Sequence, residues 1–128
     1  VHAATDVTGY GLVGHAYEMA DGAGCSIELR IDGLPWIDGS QNYAKAGHFS
    51  GGAIANRKYY EKYVVYKREL EDWNAMMLFD PQTSGGLLLS VGAEHAHDLL
   101  DALNRYGNED SCVVGEVVVG EGGKIIVV

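Results

Sequence analysis

The chain has 128 residues, about one domain's length, and can bury a single core that takes roughly two thirds of the unfolded surface out of water. Nine basic against eighteen acidic residues give a formal charge of −9, which repels phosphate backbones, excludes general nucleic-acid binding and means that any phosphate ligand needs local help. Eighteen glycines beside two prolines are about twice the usual share of glycine and predict many tight turns in a globular chain.

The opening "HAATDVT" carries a charge and two threonines and does not read as an apolar strand. From Leu12, apolar residues recur at Val13, Ala16, Met19 and Ala20 and predict a first helix, with Thr8 as N-cap and Gly22 and Gly24 as stop signals. "CSIELRI" alternates and is rich in strand formers; "DGLPWIDGS" breaks the pattern before a short helical piece from Gln41 to Gly47. "FSGGAIAN" reads as a loop. Between Arg57 and Leu78 the residues Tyr59, Tyr60, Tyr63, Val64, Leu70, Trp73, Met76 and Met77 fall mostly at three- and four-residue spacings and predict a helix, broken at most once. "FDPQTSGG" is a turn cluster feeding a buried strand, "LLLSV". From Glu94 to Tyr106, Ala96, Leu99, Leu100 and Leu103 form one helical face, with Gly107 as C-cap. "CVVGEVVVG" and "KIIVV", joined by "EGG", predict a terminal hairpin. Strands and helices alternate without a regular βαβ rhythm, so the predicted class is α+β, a sheet with packed helices.

Cys25 and Cys112 lie far apart without C-x-x-C spacing, which suggests neither a zinc site nor a disulfide framework; both read as buried apolar thiols in a reducing cytosol. No apolar run approaches a membrane span, and the first residues show neither a basic n-region nor an apolar h-region. It begins at Val1 and reaches its most informative motif within a few residues, so it reads as a piece of a longer protein.

That motif is "TDVTGYGLVGHA", with Gly9, Gly11 and Gly14 spaced G-x-G-x-x-G. Three readings are open: a dinucleotide fingerprint followed by Asp32 as ribose ligand, a metal-phosphate turn, or a glycine-rich connection. Asp6 weighs against the first, because a carboxylate three residues before the first glycine repels a pyrophosphate unless a cation separates them. In the metal-phosphate reading the glycines let backbone N–H groups at the helix start approach an anion. "DPQTSGG" admits a small anion nest from Thr83, Ser84, Gly85 and Gly86, or a plain tight turn in which Asp80 caps or braces. Arg57, Lys58, Lys62, Lys67 and Arg68 interleave with tyrosines as in a nucleic-acid patch, but Glu61, Glu69 and Glu71 favour a solvated amphipathic helix. His95 and His97, two apart, do not share a helical face and so do not read as a metal pair, and His15 and His48 stand isolated.

Together, "ATDVTGYGLVGH" and "DPQTSGGLLLSV" resemble the signatures of the selenophosphate synthetase (selenide, water dikinase) family, within the aminoimidazole-ribonucleotide-synthetase-type ATP-binding superfamily. The likeness extends through "GG...NRKYYEKYV" and the "GEVV...GGKI" ending and covers only that family's C-terminal half. It implies an α+β domain packed against an N-terminal domain that makes the dimer contact, and ATP-dependent conversion of selenide to selenophosphate with AMP and orthophosphate released. Magnesium is implied as cofactor, with Asp6 as a ligand alongside aspartates of the absent half and Thr8, Gly9 and Gly11 as nucleotide-binding residues. The reactive Cys or selenocysteine and its lysine also belong to that half, so Cys25 and Cys112 inherit no catalytic role. Three positions depart from the pattern: Tyr10 stands for Phe, and Ala53 and Ala55 stand for Thr and Arg. Two expectations follow, an active synthetase or a non-catalytic nucleotide- or partner-binding paralogue; a sister enzyme acting on another phosphate acceptor is disfavoured by "DPQTSGG".

Overall fold

The computed structural model describes residues 1–128. In chain order it forms β1 (Ala3–Asp6), α1 (Gly11–Ala23), β2 (Ser26–Leu29), α2 (Ser40–Lys45), α3 (Gly51–Tyr60), β3 (Val64–Tyr66), α4 (Asp72–Met77), β4 (Leu87–Ser90), α5 (Ala96–Arg105), β5 (Gly115–Val118) and β6 (Lys124–Val127). Short 3-10 turns at Ile31–Gly33, Glu61–Tyr63 and Ala93–His95 link them. The architecture is α+β, as the interspersed pattern predicts.

A four-stranded mixed sheet in the order β3-β6-β2-β5 carries the core. Alternation puts Ile27, Leu29, Ile125 and Val127 on one face, all buried, and α1 lays Val13, Ala16 and Ala20 against them. Leu78 and Phe79, fully buried after α4, close the same cluster. Gly24, with φ 65°, ends α1 as the stop signal predicts.

Four expectations are corrected. The terminal hairpin does not form: β2 lies between the two runs, antiparallel to β5 and parallel to β6, so "EGG" only turns the chain from one side of β2 to the other. The helix expected from Arg57 to Leu78 is a helix end, a strand and a second helix, because β-branched Val64 and Val65 pair with Ile125 and Ile126 of β6. "FSGGAIAN" is no loop: Ser50 accepts a hydrogen bond from Ala53 N (3.1 Å) and starts α3. "HAATDVT" holds a strand after all, β1, but it pairs antiparallel with β4 in a separate two-stranded ribbon. A dinucleotide fold needs that strand parallel inside the main sheet, so the Rossmann reading of the glycine motif is excluded.

Smaller differences concern burial. Cys112 is exposed, its Sγ 3.5 Å from Gly33 O, and Cys25 is half-buried. The apolar face of α5 is also only half-buried, since this helix touches little beyond the 3-10 turn before it. No helix is long and apolar enough to cross a membrane.

Candidate functional site at the junction of three motifs

Three stretches that sequence reasoning treats separately meet at one corner. The ribbon sets Asp6 opposite Leu87 and Ala4 opposite Leu89. Beyond it the strands stay joined, Val7 N donating to Gly86 O (2.9 Å) and Gln82 N to Thr8 O (3.0 Å). Gly85 passes so closely under Val7 that a Cβ would overlap the carbonyl oxygen and lie 2.7 Å from Gln82 Oε1.

The third stretch, the start of α3, staples the other two. Asn56 is 8% exposed, and its Nδ2 donates to Gly9 O (2.8 Å) and Phe79 O (2.9 Å). Ser50 Oγ donates to Asp80 Oδ1 (3.3 Å), so Asp80 braces this corner. Sequence spacing gives no hint of the Asn56 staple, since its partners lie 47 and 23 residues away. Asn56→Ala is expected to cost about 1–3 kcal/mol, because two carbonyls beneath the glycine turn lose their donor. Urea unfolding checks this, and Asn56→Asp should be at least as damaging, since an ionised carboxylate cannot donate.

The glycine turn itself divides its labour. Gly11 has φ 69°, its amide donates to Thr8 O (3.1 Å), and a Cβ would come 2.7 Å from the Phe79 carbonyl carbon. It therefore serves the turn and its packing, with its N–H already used. Gly14 is backed by the Tyr60 ring. Burial raises the Tyr60 phenol above its ordinary pKa, with Glu18's charge adding to the effect. Gly9 is exposed with open space around it. Thr8 is not the helix cap: α1 is preceded by Tyr10, whose side chain makes no cap bond, and Thr8 Oγ1 instead lies 3.1 Å from His15 Nε2. The amides of Thr8, Gly9, Tyr10 and Leu12 have no protein acceptor, nor do those of Thr83, Ser84, Gly85 and Gly86. Exposed orphan amides at a helix start are the donors an anion uses.

Asp6 closes β1 with an exposed carboxylate that has no ion-pair or side-chain hydrogen-bond partner. No group of three or more His, Cys, Asp or Glu side chains could hold a metal ion by itself. A hard divalent cation accepts carboxylate and phosphate oxygens, so Asp6 fits as one ligand of a shared ion. The basic-aromatic stretch is largely paired: Arg57 contacts Glu61 (2.9 Å) and Asp72 (2.6 Å), Arg68 contacts Asp32 (2.5 Å), and Lys62 lies over the Tyr59 and Tyr63 rings. Of the two departures in α3, Ala53 is fully buried, whereas Ala55 is exposed.

Fold and junction together define an α+β domain in which a glycine turn with free amides adjoins an exposed acidic strand end. The family described as "AIR synthase related protein, C-terminal domain" matches residues 1–128, and the chain belongs to it. It is 46% identical over 117 residues to a protein named "Selenide, water dikinase" from Caldanaerobacter subterraneus subsp. tengcongensis, covering 91% of this chain and 34% of that protein. A protein of the same name from Clostridium botulinum (strain Alaska E43 / Type E3) is 42% identical over 132 residues, covering 100% of this chain and 36% of that protein. One from Paraburkholderia xenovorans is 39% identical over 122 residues, covering 95% and 34%. The chain thus spans about a third of the length of the curated relatives it matches.

Proposed function

We infer that the chain is the C-terminal domain of a two-domain selenide, water dikinase, which phosphorylates selenide at the expense of ATP and releases AMP and orthophosphate in the cytoplasm. The observation that carries this reading is the free carboxylate of Asp6 at the end of β1, beside a turn whose amides at Thr8, Gly9, Tyr10 and Leu12 are unspent. Magnesium bound between carboxylate and phosphate oxygens neutralises charge that develops as the phosphoryl group moves. The chain's own part is to hold the polyphosphate by backbone N–H groups and to supply one carboxylate at a fixed distance from them. The staple through Asn56 and the brace through Asp80 keep the turn in place while the ligand comes and goes.

The partner is the N-terminal domain of the same polypeptide, which contributes the remaining aspartates and the homodimer contact. Its docking place is the outer face of the β1–β4 ribbon. Ala4, Asp6, Leu87 and Leu89 share that face, Leu87 is 71% exposed, and a two-stranded ribbon has little stability uncovered. The buried place of Ala53 supports an active enzyme, since a threonine there would meet the core and not a ligand. Exposed Ala55 is the one footing of the second reading, a non-catalytic paralogue that binds nucleotide or a partner.

One carboxylate does not hold a magnesium–nucleotide complex, so the isolated 128-residue domain is expected to fold but to show no selenide-dependent ATP consumption. The full-length protein should turn ATP over in the same assay. Turnover by the isolated domain at a rate usual for enzymes, on the order of 1 per second or faster, overturns the shared-ion reading.

A further inference from the structure

His15 is 7% exposed and stands between the side chains of Thr8, in the turn before α1, and Glu18, on its own helix. Its Nε2 lies 3.1 Å from Thr8 Oγ1 and its Nδ1 lies 3.3 Å from Glu18 Oε2. Nδ1 has no solvent access and makes no hydrogen bond, the Glu18 carboxylate being the charged group beside it, and the Tyr10 ring, 5.4 Å away between centroids, covers the imidazole. Glu18, one helical turn on, is half exposed.

We propose that Glu18 and His15 form a positioning relay that fixes the polarity of the Thr8 hydroxyl, so that Thr8 presents oxygen lone pairs, not a proton, to the ligand. The negative charge of Glu18, 3.3 Å from Nδ1, favours the proton on that nitrogen, since a carboxylate attracts an N–H and repels a lone pair. In the neutral ring Nε2 is then the lone-pair nitrogen, and the Thr8 O–H donates to it. The outward side of Thr8 Oγ1 is therefore an acceptor. It repels a bare phosphate oxygen and suits a water molecule of a hydrated divalent cation. Phosphate oxygens fall to the neighbouring N–H groups of Gly9, Tyr10 and Leu12, which have no protein acceptor. This division deepens the proposed function and rests on its magnesium–nucleotide reading: one turn meets the anion with amides and the cation's water shell with a hydroxyl oxygen.

Two measurements on the full-length protein test it. Selective 15N-histidine labelling with long-range proton–nitrogen spectra reports the tautomer directly, without nucleotide. The expected pattern for His15 is a protonated Nδ1 and a lone-pair Nε2, turning to a mixed pattern in Glu18→Gln. An Nε2-protonated tautomer, or a ring carrying both protons, overturns the proposal. Calorimetry then compares nucleotide binding with and without magnesium. Thr8→Val should raise the half-saturating magnesium concentration up to about tenfold, the loss of one hydrogen bond, without weakening metal-free nucleotide affinity, since the oxygen it removes repels a bare phosphate. His15→Phe should reproduce part of that loss, His15→Phe/Thr8→Val should be no worse than Thr8→Val alone, and His15→Gln, whose carboxamide oxygen reaches the Nε2 position, should restore most of it. Additive losses, or equal loss of metal-free affinity, overturn the relay. If the unaltered protein binds no nucleotide at all, the proposed function itself fails, and this inference with it, whatever the tautomer.

Discussion

Asp6→Asn in the full-length protein is expected to lower magnesium-dependent ATP turnover by about a hundredfold or more while leaving the fold intact. The carboxylate is exposed and makes no ion pair or side-chain hydrogen bond, so its replacement by an isosteric amide should change stability by no more than about 0.5 kcal/mol. In the proposed function the charge it removes is the one this chain offers a cation, and metal stabilisation of a phosphoryl transition state is worth several kcal/mol, each 1.36 kcal/mol being about tenfold in rate. Turnover measured across magnesium concentrations, with thermal unfolding in parallel, separates the two effects. Full turnover with unchanged magnesium dependence removes the metal-phosphate reading of the glycine motif.

The second large effect falls on stability. Gly85→Ala is expected to destabilise the domain by about 2–4 kcal/mol, because the new methyl group lands on the Val7 carbonyl, a backbone atom that no rotamer change can clear. To make room the β4 turn must move from Val7, breaking the bond between Val7 N and Gly86 O and pulling Gln82 from Thr8. Gly9→Ala is the control. Nothing lies within 4 Å of its would-be Cβ and its φ is not positive, so unfolding in urea should move little. A Gly85→Ala protein as stable as the unaltered one would mean that the motifs are not clamped as described.

How far these features could be read from the sequence varies element by element. The stripe of α1 is legible because Val13, Ala16 and Ala20 keep one face of a single helix on one sheet. The strand β1 is not, because its pattern of half-buried Ala3 and Thr5 with exposed Ala4 and Asp6 acquires meaning only when β4 is laid beside it. Between Arg57 and Leu78 spacing misleads: Tyr60, Tyr63 and Val64 recur at helical intervals, yet the adjacent β-branched pair Val64–Val65 is what joins β6. The hairpin expected at the end fails for a similar reason, since two β-branched runs joined by a glycine turn also suit strands flanking a third. Asp6 and the glycine turn stand out by composition. Asn56 and His15 do not, because a single amide and a single imidazole become informative only through the carbonyls and the hydroxyl they meet.

The strand order sets a timetable for folding. Residues 26–29 form the strand at the middle of the core face, but both strands that flank it come from residues 115–127. A ribosome delivers α1 and this strand early, and for most of the remaining synthesis Ile27 and Leu29 have no sheet to join. Such long-range pairing, Ile27 with Val117 and Ile125, must bear the entropy of closing about three quarters of the domain before it gains any contact, which makes it slow. A chain stalled or cut before residue 115 keeps its glycine turn and its acidic strand end but leaves an apolar strand open on both edges, a species that other unfinished chains can pair with.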